Sequence, residues 1–571
     1  MCGGRKAGGR RRRRRGGFQA RGKGRRGRPG TLSRFPHPHP SPHFFSLPQD
    51  DPALRPRILA AAAAAAAAED AAEEEEDDDD FSSPVARHHH RRRPGGGSGA
   101  KAACRHLAGL PLASVARFAR ADGRAGSAAS AAAGATSSPA LALGSFSCYA
   151  AGAYLSGALH RATMGPLDPG VLYTYSVGDP ERGWSPSINF TAPAAPGTGG
   201  RGGPYTMAIV GDLGQTADSA DTLAAVLARG LGRGRDGAGD RSDPGAAIPG
   251  AVQAVLNVGD LSYADGFQTR WDTFGRLIQP LVSRVVHAVI EGNHEEELAG
   301  GKAGFLAYKA RYATPSNASG SGTPLYYSFD LPSAHVVMLG TYAPWGPASR
   351  QRAWLAADLA ALDRARTPWL VVGMHAPWYS SNTAHLDEVD AMRASLEPLL
   401  LEHGADLVFT GHVHAYERTH RVARGGAHAC GPAHVVIGDG GNREGLALHY
   451  ISPQPPWSAY REASFGHGAL TFVNATHARW EWVRNQDGAG VPPGDAAWFV
   501  RGSDAEGGGG ACTPGARAAV VAAARADYEA ARAPGGLLGP EARGVGVGYA
   551  TEVAAAAADR RARAEAAVAA A

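Results

Sequence analysis

Cysteine is scarce: five residues in a chain of 571, too few for the disulfide-dense frameworks of small secreted domains. Long apolar runs are missing as well. The stretch Ala60–Ala68 is the most conspicuous, and it is too short to span a bilayer and is soon followed by acids. No self-similar period of 20–50 residues occurs, which excludes a solenoid. Lysine is nearly absent, with five among 58 basic residues. Together with the abundant alanine and glycine, that skew reflects a GC-rich coding sequence rather than a functional choice of arginine. Acid is absent from residues 1–49, which carry 14 basic residues and leave 44 basic against 53 acidic residues downstream. The net charge of +5 therefore describes neither part of the chain.

Composition divides the chain into four segments. Residues 1–140 are of low complexity, with a basic block Arg10–Arg15, an acidic block Glu73–Asp80 and a second basic block His88–Arg93. Like-charge runs repel and bury no apolar area, so this N-terminus is expected to be disordered. The basic arm lacks interleaved aromatic platforms and is soon followed by acid, which argues against a nucleic-acid partner. No apolar h-region follows it, so a signal peptide is not evident. Residues 141–200 hold Leu172–Val177, alternating apolar and polar as in a half-buried strand. Residues 203–500 contain short apolar runs, namely Met207–Val210, Ala254–Val258, Val285–Ile290, Trp369–Val372, Leu407–Phe409 and Val435–Ile437. Helix-compatible stretches lie between several of them, Asp218–Arg229, Arg350–Arg364 and Leu386–His403 among them. Such alternation predicts an α/β fold with buried sheets. Residues 501–571 form a Gly/Ala-rich tail, with a helical and peripheral stretch expected within it.

The chemistry sits immediately after the apolar runs. Gly211-Asp212-Leu213-Gly214, Gly259-Asp260-Leu261-Ser262-Tyr263, Gly292-Asn293-His294-Glu295, Gly373-Met374-His375 and Gly411-His412-Val413-His414 occur in that order. A Gly-Asp turn or a lone His is commonplace, but five such strand ends in order are not. Ligands of open α/β sheets bind outside the carboxyl ends of strands. Carboxylate, phenolate and amide oxygens with imidazole nitrogens suit a pair of first-row metals without any thiolate. A carboxylate such as Asp260 can bridge two ions, and ions about 3.5–4 Å apart can clamp the attacking and leaving oxygens of a phosphoryl transfer. Metal-assisted hydrolysis of a phosphate ester is the reaction class these donors predict, with a small-molecule phosphate ester as partner and no membrane.

The ordered motifs resemble those of the purple acid phosphatases within the calcineurin-like metallophosphoesterases. The resemblance implies a metallophosphoesterase β-sandwich of mixed sheets flanked by helices, preceded here by a partial fibronectin type III-like β-sandwich. It implies that Asp212, Asp260, Tyr263 and His414 hold a ferric ion, and that Asp260, Asn293, His375 and His412 hold a divalent partner, zinc, manganese or iron. A metal-bound hydroxide would then be the nucleophile. Tyr263 is the most specific residue, because its phenolate-to-iron charge transfer gives the family its colour. His294 and His385 are the implied substrate-facing imidazoles, suited to neutralising phosphate or protonating the leaving alkoxide. Ala384-His385 stands where some members have two histidines. Asp265, Glu295 and Glu417 are expected to tie loops together. Cys430-Gly431-Pro432, Gly438-Asp439-Gly440-Gly441-Asn442-Arg443-Glu444 and Arg461-Glu462-Ala463-Ser464 look like the large plant-type enzymes, nearest the branch that includes phytases. Those enzymes are secreted or vacuolar glycoproteins and often homodimers. Asn189, Asn317 and Asn474 head three sequons that fit secretion. Cys430 and Cys512 could pair with each other or with another chain. The alternatives are a metallophosphodiesterase or nucleotide pyrophosphatase on the same core, or a non-catalytic glycoprotein binding module.

Overall fold

A computed structural model describes residues 113–123, 139–197, 204–230, 251–299, 302–487, 491–501 and 512–538. The charged blocks and the alanine run expected to be disordered lie outside these residues.

Two sheets face each other in the larger, C-terminal region. The first has six strands in the spatial order Val286–Val289, Val252–Asn257, Tyr205–Val210, Gly466–Phe472, His477–Arg484, Asp495–Val500. Its first three strands run parallel, and the last three are joined antiparallel. The second has eight strands. At its centre Ala334–Leu339, Trp369–Met374, Leu407–Thr410 and Ala433–Ile437 run parallel, with antiparallel partners Tyr327–Asp330 and Tyr416–Ala423 outside them. All six residues of Tyr205–Val210 and of Trp369–Met374 are buried. That is why these strands read as continuous apolar runs rather than as alternating ones: both faces are covered.

The space between the sheets is filled by Met207, Leu256, Phe472, Trp480 and Trp482 from one and Tyr327, Trp369, Leu407, Phe409 and Tyr416 from the other. Tyr416 stacks on Trp482 with ring centroids 4.3 Å apart. Truncating one such aromatic to alanine costs about 3–5 kcal/mol. Helices cover the outer faces. In Thr269–Val282 the buried residues are Trp271, Phe274, Ile278 and Leu281, spaced three and four apart along one stripe. Ser349 caps Arg350–Ala360 by accepting from the Arg352 amide, and Gly404, in the left-handed region, ends Asp390–His403.

Before this region lies a smaller antiparallel sheet in the order Leu159–Ala162, Ala140–Ser147, Ser114–Arg120, Leu172–Asp179, Gly183–Trp184, with Ile188–Thr191 also on Leu172–Asp179. Residues 141–200, the segment expected to form part of a fibronectin type III-like sandwich, supply most of this sheet. Ser114–Arg120 falls inside 1–140, so the expectation of disorder fails for those residues. Its alanine-rich setting concealed a strand whose Val115, Ala116 and Phe118 are buried, held between Ala140–Gly144 and Tyr173–Gly178. Tyr149 and Tyr154 dock the sheet on the larger region through Gln268, Asp272 and Arg311.

The expectation of a peripheral C-terminal helix also needs correction. Pro514–Arg532 is helical but buries Val520, Ala524 and Tyr528 against Asp390–His403 and its surroundings. A Cys430–Cys512 disulfide anchors its start, so these two cysteines pair with each other.

Candidate metal centre

The parallel strands of both sheets end at one edge, where their loops are tied together. The Asp212 amide donates to the Gly259 carbonyl, that of Gly411 to His375 and that of Asn442 to Asp212. All the site residues predicted from sequence lie at this edge. Among the described residues eight non-glycine positions have positive φ, and five of them are Asp212, Asp260, Tyr263, His385 and His412. Each left-handed residue costs on the order of 1 kcal/mol, a strain that persists only where the surrounding structure over-determines it.

Asp260 is central. Its Oδ2 is 3.2 Å from His375 Nε2 and its Oδ1 accepts the His294 amide at 2.9 Å. Asn293 Oδ1 is 3.1 Å from the same His375 Nε2. His375 Nδ1 lies 2.9 Å from the Val258 carbonyl; it must donate there, which leaves Nε2 to face the carboxylate and the amide oxygen. On the other side, Tyr263 Oη is 3.1 Å from His414 Nε2, and that nitrogen is 3.3 Å from Asp212 Oδ1. His414 Nδ1 is held by the Gly445 carbonyl at 3.1 Å. The His412 ring lies 5.0 Å from that of His375.

The donor atoms fit a metal pair. Asp260, His375 and His412 form one trio with donor atoms within 4.8 Å of one another, and Asp212, Asp260 and His414 form another; the two share Asp260. The cradle is built from glycines. A Cβ at Gly292 would stand 2.1 Å from Asp260 Oδ1, and one at Gly411 would stand 2.2 Å from Asp212 Oδ2. Only the absent side chain allows the backbone to approach these carboxylates so closely. Burial raises the Asp260 carboxyl, but His375 and His294 outweigh it and hold the group below its ordinary value. Burial, with His385 beside it, pushes His412 down to about 4 and keeps its imidazole neutral, the form that ligates metals.

The two other imidazoles sit at the rim, each tied to acid. His294 packs on the Tyr263 ring at 4.1 Å; its Nδ1 is 2.5 Å from Asp265 and its Nε2 3.5 Å from Glu444. Burial lowers His294, but Asp260 and Glu444 raise it to about 9 overall. His385, 40% exposed, lies 3.8 Å from the His412 ring, and its Nδ1 is 2.8 Å from Glu388. Glu388 was not singled out from sequence. It also reaches His412 Nε2 at 3.1 Å, and an isolated Glu three residues beyond His385 carries no motif by which to find it. Glu295 accepts the Gly292 and Leu261 amides, and Glu417 accepts from Ser381 and Ser458; both tie loops. Asp265 does more, since it also orients His294.

The fold and its edge of oxygen and imidazole donors define a metallophosphoesterase. Residues 205–416 match the calcineurin-like phosphoesterase model, and 431–491 match the iron/zinc purple acid phosphatase-like C-terminal model. Purple acid phosphatase 18 of Arabidopsis thaliana is 47% identical over 336 residues, 58% of this chain and 70% of that protein. The Fe(3+)-Zn(2+) purple acid phosphatase 12 of the same plant is 38% identical over 365 residues, covering 61% and 72%. The solved purple acid phosphatase from yellow lupin (Lupinus luteus) seeds superposes with a TM-score of 0.57 over 68% of this chain and 70% of its own, at 22% identity, a likeness of fold. The chain belongs to the purple acid phosphatases.

Proposed function

We propose that the chain hydrolyses phosphate monoesters with a ferric ion held by Asp212, Asp260, Tyr263 and His414 and a divalent ion held by Asp260, Asn293, His375 and His412. The observation that carries this reading is the pair of donor trios joined at Asp260. When bound, two such cations neutralise phosphoryl charge and make hydroxide available where it is otherwise scarce. The protein's own part is orientation and proton handling. The Val258 and Gly445 carbonyls fix the tautomers of His375 and His414. His294, gripped at Nδ1 by Asp265, holds a positive charge at the rim for the phosphate oxygens. His385, gripped at Nδ1 by Glu388, keeps Nε2 for a proton to the leaving oxygen.

The same reading takes the N-terminal antiparallel sheet as part of a fibronectin type III-like domain, supported by its all-antiparallel pairing. It makes the chain a secreted or vacuolar glycoprotein that forms homodimers. The Cys430–Cys512 disulfide, typical of oxidising compartments, and the exposed Asn189, Asn317 and Asn474 support the compartment. No helix among the described residues is long and apolar enough to cross a membrane.

Metal analysis, a visible spectrum and hydrolysis of an aryl phosphate, followed by a panel of phytate, nucleotides and sugar phosphates, test this. The expected result is about two metals per chain including iron, with a violet band that Tyr263→Phe abolishes. Asp260→Asn is expected to lower turnover at least about 100-fold, more than loss of a supporting residue does. A colourless, zinc-only active protein overturns the ferric assignment, and undiminished hydrolysis by Asp260→Asn overturns the site.

A further inference from the structure

Tyr263 is gripped at three places. Its hydroxyl meets His414 and Asp212, its ring packs on His294 and edge-on against His414, and a further neighbour of the ring is an arginine that no metal-site motif requires. The Arg443 guanidinium carbon lies 5.4 Å from the Tyr263 ring centroid. Arg443 Nη1 donates to the Tyr263 carbonyl at 2.5 Å, and Nη2 pairs with Asp265. Asp265 is also bound to His294 and lies 4.0 Å from Arg270 Nη1, so its charge is divided among three partners. Arg270 donates to the same Tyr263 carbonyl at 3.1 Å but sits over the exposed ring of Phe267, at 4.8 Å. Tyr263 and both arginines line one cavity of about 310 Å³ together with Gln215, Thr216 and Ser262. Two guanidinium groups thus anchor one backbone carbonyl, and only one of them faces the tyrosine's π-electrons.

We propose that Arg443 is a positioning residue that sets the electronic state of the Tyr263 phenolate toward iron. This rests on Tyr263 being the iron ligand. The face of an aromatic ring is its negative pole, and that of a phenolate more so, so a cation over it stabilises the ring electrons. With a ferric ion bound at Tyr263, the violet band would move charge from those ring orbitals toward it. A cation beside the donor lowers the donor level, raises the transition energy and moves the band to shorter wavelength. Arg270 supplies the backbone grip without the field over the ring, so the two functions are separable by substitution.

The test is the visible spectrum of the iron-loaded full chain. Arg443→Gln is expected to move the band maximum to longer wavelength on the order of 10 nm at equal iron content. Arg443→Lys, which keeps the charge but loses the fork, is expected to move it less than half as far. Arg270→Gln should leave the maximum in place. An unmoved band in Arg443→Gln, an equal shift in Arg443→Lys, or the same shift in Arg270→Gln overturns the proposal. Loss of iron from Arg443→Gln overturns it too, by making Arg443 a structural support. Absence of any violet band from the unsubstituted protein is a different failure, that of the ferric reading itself.

Discussion

The catalytic region and the sheet that precedes it are both built from short strands, yet only one supports strained loops. The inter-sheet core of the catalytic region holds five tryptophan and tyrosine side chains under 2% exposed, Tyr327, Trp369, Tyr416, Trp480 and Trp482, among many aliphatics. The N-terminal sheet packs on a core of Ala116, Phe118, Ala142, Tyr173 and Ala192, three of them alanines. Left-handed aspartates, tyrosine and histidines cluster at the edge of the first. No non-glycine residue in the described loops of the N-terminal sheet has positive φ. Strain of about 1–3 kcal/mol per residue can be stored only where burial on a larger scale offsets it.

The largest expected break in that contrast is Gly411→Ala. A Cβ 2.2 Å from Asp212 Oδ2 and 3.2 Å from the Val258 carbonyl displaces a ligand while leaving the sandwich folded. Turnover should fall at least about 100-fold and iron content below one per chain, with an unchanged far-ultraviolet dichroism spectrum; full iron content would show the cradle to be looser than the geometry implies. Next is Cys512→Ser. The Cys430–Cys512 bond closes 82 residues of sequence, worth about 4.5 kcal/mol on the chain-entropy account. Denaturant midpoints should drop accordingly, whereas turnover per iron should hold, because the bond anchors the start of a helix packed on Leu401 and Ala423, with no ligand in that cluster. Phe118→Ala, in the small core, should cost about 3 kcal/mol, the low end for a buried phenylalanine, again with turnover per iron intact. Loss of activity in proportion would mean that the two regions unfold as one.

The smallest effect separates the regions by pH. His467 lies on the strand Gly466–Phe472, 1% exposed, and burial pushes it down to about 3. The unfolded chain therefore binds a proton near pH 6.5 that the folded chain refuses. The stability that neutral His467 contributes is present above pH 6.5 and is lost as pH falls toward 3. The slope is about 1.4 kcal/mol per pH unit. Denaturant titrations of His467→Gln and the unsubstituted protein at pH 7 and 4.5 should show the gap between them narrowing in acid. A gap that stays constant would place solvent at His467.

Much of this was legible in the sequence, for identifiable reasons. Fully buried strands leave apolar runs, and Tyr205–Val210, Val252–Asn257 and Trp369–Met374 fall where those runs do. Residues that must leave a strand end and approach a ligand need glycine beside them, which is why Gly-Asp, Gly-Asn and Gly-His dipeptides marked the edge. Ser114–Arg120 was hidden because its neighbours are alanine, serine and glycine, whose composition says little about pairing. Glu388, Asp265 and Arg443 were illegible as partners, since nothing in their spacing tells which imidazole or ring they meet.

The sequence by itself determined the class of fold, the order of the ligand-bearing strand ends and the family. These depend on periodicity and on residues adjacent in the chain. Only the tertiary structure decided that Glu388 joins His385 to His412, that Asp265 is shared by His294 and Arg443, and that the C-terminal helix belongs to the core. Those contacts join residues brought together by loop paths and side-chain packing, and their partners are fixed only when both sheets have closed on each other.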